Sequence, residues 1–202
     1  MNTAKATIPV IIGTAAALLL SACNSNPGSP APASSPSSGT ANSSASAPPK
    51  VADPITNTSA AEKDPCSALP TSEVEKLGGK VRTTAVDTTP VGITCGWIFA
   101  DGTGSVNGGL ASGANGLQGL YQRNAVGGLK KFEVQPAIQG YPAVVYDIGL
   151  NGDGACALAV GINDRLAYAV NTQLRPGNPN VADPCALATK LASAAITSLK
   201  AK

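Results

Sequence analysis

The chain has 202 residues, of which 43% are hydrophobic, 3% aromatic and 13% charged, and its formal net charge is +2. That balance offers no concentrated basic face, so nucleic acid is not an expected partner. Histidine is absent, which removes the commonest general base and the commonest metal ligand at once. The 22 glycines and 16 prolines exceed what one compact domain usually carries, which points to a long stretch outside any packed core.

Residues 1–22 read as a targeting segment. Lys5 supplies a weakly basic start, and "VIIGTAAALLL", Val10 to Leu20, is an apolar run of eleven residues. A bilayer core needs about 20 residues to span, so this run suits a signal peptide instead. Leu20-Ser21-Ala22-Cys23 then resembles a bacterial lipobox. The resemblance implies acylation of the Cys23 thiol, cleavage just before it, and acyl chains that hold the protein on the extracytoplasmic face of the cell membrane.

Residues 23–63 follow as a tether rich in Ser, Pro and Ala, for example "PGSPAPASSPSSGTANSSASAPP". It shows no apolar periodicity and too little apolar surface to offset ordering entropy. As a flexible coil, about 40 residues reach roughly 35 Å. The composition also suits O-linked sugar.

Residues 64–202 are then expected to form one domain, long enough for a real core. Asp64-Pro65-Cys66 and Asp183-Pro184-Cys185 both read as helix starts. The carboxylate accepts from free N–H groups, and proline loses nothing where its N–H would have no helical partner. After the first, Ser72 and Glu75 have the spacing of a capping box, with Gly78-Gly79 as the stop. After the second, "ALATKLASAAITSLK" puts Leu187, Leu191, Ala195 and Ile196 on one side of a closing amphipathic helix.

Between them lie seven candidate strands, at 80–86, 92–100, 105–111, 131–137, 141–148, 155–162 and 166–174, with one weak helix at 114–124. "INDR" (162–165) reads as a tight hairpin and "NGDG" (151–154) as a turn; the latter lacks the alternating acidic ligands and closing Glu of a calcium loop. Strands joined by short turns and flanked by helices predict an α+β fold, an antiparallel β-sheet with N- and C-terminal helices.

Four cysteines fall in this domain: Cys66, Cys95, Cys156 and Cys185. An even count in an exported chain predicts two disulfides. Spacings of 29, 61 and 29 residues without a C-x-x-C pair disfavour zinc, and no metal or cofactor is expected. Cys95 and Cys156 both fall in expected strands, so the preferred pairing is 95–156 with 66–185 across the helix starts; the other two connectivities stay open. A reduced cysteine at a helix start would be reactive, but it would want a histidine or a C-x-x-C partner.

An ordered set of motifs now carries a resemblance: the lipobox, the Ser/Pro linker, "DPCSALPTSEVEKLGG", "CGW", "IQGYPAVV", "CALAVGI" and the terminal "DPCALATKLASAAITSL". Together they are similar to the actinobacterial lipoproteins of domain of unknown function 3558, over about residues 64–199. The resemblance implies an exported, lipid-anchored, disulfide-linked domain of mycobacterial type. It brings no activity and no catalytic residue.

Candidate chemistry is sparse. "DGTGSVNGGLASGANGLQG", with seven glycines from Gly102 to Gly119, matches no phosphate-binding pattern and reads as strand and loop. Asp147 and Asp153 flank one turn, which solvation alone explains. No S-x-x-K occurs in the domain, leaving a serine nucleophile without a base. Trp97, two residues from Cys95, is expected to pack on a disulfide rather than to stack a ligand. Lys130, Lys131 and Arg123 make a small basic spot that reads as a solvated face or a contact for anionic lipid. The reading that follows is a non-catalytic binding or interaction module of the cell envelope, with an unidentified protein or lipid partner. A carrier of an apolar or glycolipid ligand is the alternative, and a hydrolase ranks third.

Overall fold

The computed structural model describes residues 47–89, 92–112, 115–147, 149 and 152–201. The expected signal segment, Cys23 and the expected tether as far as residue 46 lie outside the described residues. A short helix, α1 (Ser59–Lys63), leads into a single 3₁₀ turn, Pro65–Ser67, and then α2 (Thr71–Gly78). Strands β1 (Val81–Thr89), β2 (Gly92–Phe99) and β3 (Gly104–Ala111) precede α3 (Leu117–Ala125). Strands β4 (Phe132–Ile138), β5 (Tyr141–Tyr146), β6 (Ala155–Gly161) and β7 (Ala167–Leu174) come next, and α4 (Pro184–Lys200) closes the chain.

Among the described residues the strands form one seven-stranded sheet in the order β1-β2-β3-β7-β6-β5-β4, antiparallel at every pairing. The α+β expectation holds, and each of the seven expected strands is present. The edges differ in composition. β1, "VRTTAVDTT", is exposed through most of its length, whereas β4 carries Pro136 and a register shift between Gln135 and Ile138. Proline is tolerated there because an edge strand has N–H groups without a ladder partner.

One face of the sheet is sealed by α4, whose Leu187, Leu191, Ala195, Ile196 and Leu199 are all buried. They meet Trp97, Phe99, Val106, Leu158, Tyr168 and Val170 in a single core. Each leucine or isoleucine buried in this way contributes about 1.5–3 kcal/mol over an exposed one. β6 is buried along nearly its whole length, because α3 covers its other face. There Leu117 and Tyr121 pack on Val144, Ala159 and Ala167, with Tyr121 edge-on to Phe132 at 4.8 Å.

Both Asp-Pro-Cys motifs start helical turns. Asp64 accepts from the N–H of Cys66 at 3.1 Å and Asp183 from that of Ala186 at 2.9 Å. The Ser72–Glu75 capping box does not form. Pro70 is the N-cap, its carbonyl accepting from Glu73 at 3.0 Å, so α2 begins before Ser72 can act as cap. Glu75 turns outward and accepts from the N–H of Val81 at 3.0 Å.

The disulfides correct the preferred pairing. Cys66 is joined to Cys95 and Cys156 to Cys185, with Cα–Cα separations of 5.0 and 5.3 Å. The expected bridge between Cys95 and Cys156 is ruled out by strand order. β3 and β7 stand between β2 and β6, which places the two cysteines about 14 Å apart at ordinary strand spacing, beyond the ~7 Å limit of a disulfide. With Cys95 and Cys156 each taken up by a helix-start cysteine, Cys66 and Cys185 cannot join.

The tether also ends earlier than residue 63. Ile55 and Ala61 are buried, and Ile55 donates its N–H to Ile162 O at 2.9 Å while accepting from Asn163 Nδ2 at 2.9 Å. Tyr141 adds a bond from its hydroxyl to Asp53 O at 2.8 Å. Residues 53–63 therefore belong to the domain, with Ile55 against the β6–β7 turn and α1 on the 3₁₀ turn and β3.

Candidate functional site

Residues directly opposite one another on paired strands share a face, so the register sets out the side of the sheet away from α4. One row runs Gly96, Asn107, Asn171, Ala157, Tyr146 and Phe132 across the strands. The next runs Asp87, Thr94, Gly109, Ala169, Ala159 and Val144. α3 covers the end of these rows over β5 and β6 and leaves the part over β2, β3 and β7 open.

The open part is a groove of about 500 Å³. Its floor carries nothing larger than a methyl group across Gly109 and Ala169, with Ala159 beyond them passing under α3. Leu120 and Tyr146 form apolar walls, while Asp87 and Arg123 are its charged lining groups. Asn107, Asn171 and Gln173 supply neutral amides. Gly96 matters to this geometry: a Cβ there would lie 2.7 Å from Asn107 Oδ1, so its bare backbone lets the amide lie flat on the sheet.

Asn171 Oδ1 is enclosed and has no hydrogen-bond partner among the described residues. Enclosed oxygens of this kind are uncommon and costly. Arg123 is positioned by its own loop, with Nε donating to Gly128 O at 3.1 Å. Burial raises the Tyr146 phenol above its ordinary value, with the Arg123 guanidinium opposing. Tyr146 is thus a neutral hydrogen-bonding group at physiological pH. A second hollow, of about 260 Å³, holds Lys130, Lys131, Asp147 and both cysteines of the Cys156–Cys185 bridge, and Tyr146 lines it too.

The residues singled out from the sequence are distributed as follows. Trp97 is fully buried and donates from Nε1 to Thr71 Oγ1 at 3.1 Å, so it packs rather than stacks a ligand. The expected basic spot is divided: Arg123 faces the groove, whereas Lys130 and Lys131 line the smaller hollow and Lys131 lies 3.6 Å from Glu133. Asp147 is engaged in its own turn, accepting from the N–H of Gly149. Among the described residues the Gly-rich run includes strand β3 and the start of α3, and its Gly109, Gly116 and Gly119 line the groove.

Asp87, Asn107 and Asn171 were not singled out from the sequence. The available signal was alternation. Asn107 and Asn171 each sit one place from core positions, Val106 and Val170, and an amide that shares a sheet face with alanines and glycines invites a partner. Among the described residues no helix is long and apolar enough to cross a membrane.

No curated protein and no solved structure matches the chain. A family model does, over residues 18–198, described as protein of unknown function (DUF3558), and the chain belongs to that family.

Proposed function

We propose that this protein is a non-catalytic binding module of the cell envelope, anchored by acyl chains on Cys23 and taking its ligand in the groove between α3 and the β1–β2 hairpin. The observation that carries the reading is the groove itself. It is about 500 Å³, within the range of small-ligand sites, and it lies on rigid strands beside a filled core. Its titratable lining groups are Asp87, Arg123 and Tyr146, and the chain has no histidine to act as the usual general base for a hydroxyl nucleophile. An open groove also suits a bound surface ligand better than an enclosed apolar cargo, which places the carrier reading second.

The test is the full-length protein isolated from membranes beside an Ala169→Trp variant, which fills the groove floor from the side away from the core. Mass analysis of the native wild type is expected to show a retained small molecule that the variant lacks at an unchanged melting temperature. Equal content in both would remove the groove as the site. The anchor is tested by Cys23→Ser, which is expected to release the protein from the membrane fraction.

A further inference from the structure

We infer that the ligand of this groove is a neutral saccharide rather than an acyl chain or a charged metabolite. The inference rests on the groove being the binding site and adds the chemistry of what fills it. Its lining charges cancel: Asp87 stands on one wall and Arg123 on the other, and neither is in an ion pair among the described residues. A ligand of either sign would gain one partner and oppose the other, whereas a neutral one meets both as hydrogen-bonding groups.

The amides argue further. Asn107 and Asn171 are register partners on β3 and β7, and Gln173 follows Asn171 on the same face of β7. Asn171 Oδ1 is enclosed without a partner, so its amide gains a bond by turning toward a ligand donor. Planar amides, a carboxylate and a guanidinium each offer two atoms side by side, the geometry that adjacent ring hydroxyls meet. Methylene groups would strip water from these same side chains and return no hydrogen bond.

The floor completes the match. Gly109 and Ala169, register partners on β3 and β7, make a smooth strip with no protruding side chain, against which the C–H face of a pyranose ring can lie flat. The hydroxyls at the ring edge then reach Asp87 and Thr94 on one side and Asn171 and Gln173 on the other. An acyl chain would use the floor and leave the rim unsatisfied.

The experiment uses the full chain in lipid nanodiscs and saturation-transfer difference NMR. The probes are maltotriose, neutral oligosaccharides released from the source envelope by mild acid, and laurate. At least one oligosaccharide is expected to show transfer, with binding at least tenfold weaker in Asn171→Leu and absent in Ala169→Trp, both variants melting like the wild type. Laurate transfer that Ala169→Trp abolishes, with none from any oligosaccharide, would overturn the saccharide assignment and leave the groove as the site. Oligosaccharide binding unaffected by either variant would overturn the assignment as well. No transfer from any probe, together with equal small-molecule content in wild type and Ala169→Trp, would overturn both readings.

Discussion

The side-chain amide of Asn178 donates to the carbonyl oxygen of Gly78 at 3.1 Å, joining residues one hundred positions apart. Asn180 does the same for Leu77 O at 3.3 Å. These carbonyls end α2, where helix oxygens have no internal partner, and Asn178 is 4% exposed, so water cannot replace it. Asn178→Ala is expected to cost about 1–3 kcal/mol by leaving Gly78 O buried and unpaired. Urea unfolding of the two proteins measures it, and an unchanged midpoint would contradict the contact.

The two disulfides each close a 29-residue separation, for which chain entropy gives about 3–4 kcal/mol apiece. Replacing Cys66 and Cys95 together, or Cys156 and Cys185 together, by alanine is expected to lower stability by that order. A non-reducing peptide map should contain 66–95 and 156–185 linked peptides; a fragment joining Cys66 to Cys185 is incompatible with this strand order.

Tyr168 is fully enclosed, and its hydroxyl has no partner among the described residues. A Cβ at Gly108 would lie 2.7 Å from that hydroxyl. Tyr168→Phe is therefore expected to be neutral or stabilising by about 1 kcal/mol, since an unpaired polar atom leaves the core. Gly108→Ala is expected to destabilise, and Tyr168→Phe in the same chain should recover part of that loss. Thermal melts of the three variants decide it.

All four tyrosines have phenols raised above their ordinary value, with burial the main cause in each. A raised acid holds its proton longer in the folded state than in the unfolded one. The stability it contributes is complete below the unfolded value, about pH 10, and is lost as pH climbs toward the folded value. Stability measured in urea from pH 8 to 11 is expected to stay level and then fall above pH 10, less steeply in Tyr168→Phe.

Much of this fold was legible in local pattern. The alternation of β7, with Tyr168, Val170, Thr172 and Leu174 inward, and the apolar face of α4 are statements about neighbours in sequence. So is Asp183, whose capping bond spans three residues. What escaped was set at a distance. The cysteine pairing depends on which strands stand between β2 and β6, and strand order leaves no mark in any short window. Ile55 and Ala61 lie in Ser/Thr/Pro-rich chain with too few apolar residues to show a period, and Ile55 is held by the Ile162–Leu166 turn, more than a hundred residues on. The groove escaped for the same reason, because Asp87, Asn107 and Asn171 become neighbours only through register.

The β3–β7 pairing runs from Gly104–Leu174 to Ala111–Ala167, and no disulfide crosses it. Cys66–Cys95 lies wholly on the β1–β3 side and Cys156–Cys185 wholly on the other. The sheet thus has a fault line down its middle: two covalently braced leaves that can part without breaking a covalent bond. α4, packed on β6 and β7 and touching α2, is the bolt across that line. The groove floor straddles the same line, with Gly109 on one leaf and Ala169 on the other, so a ligand seated there would clasp the leaves together from the opposite side.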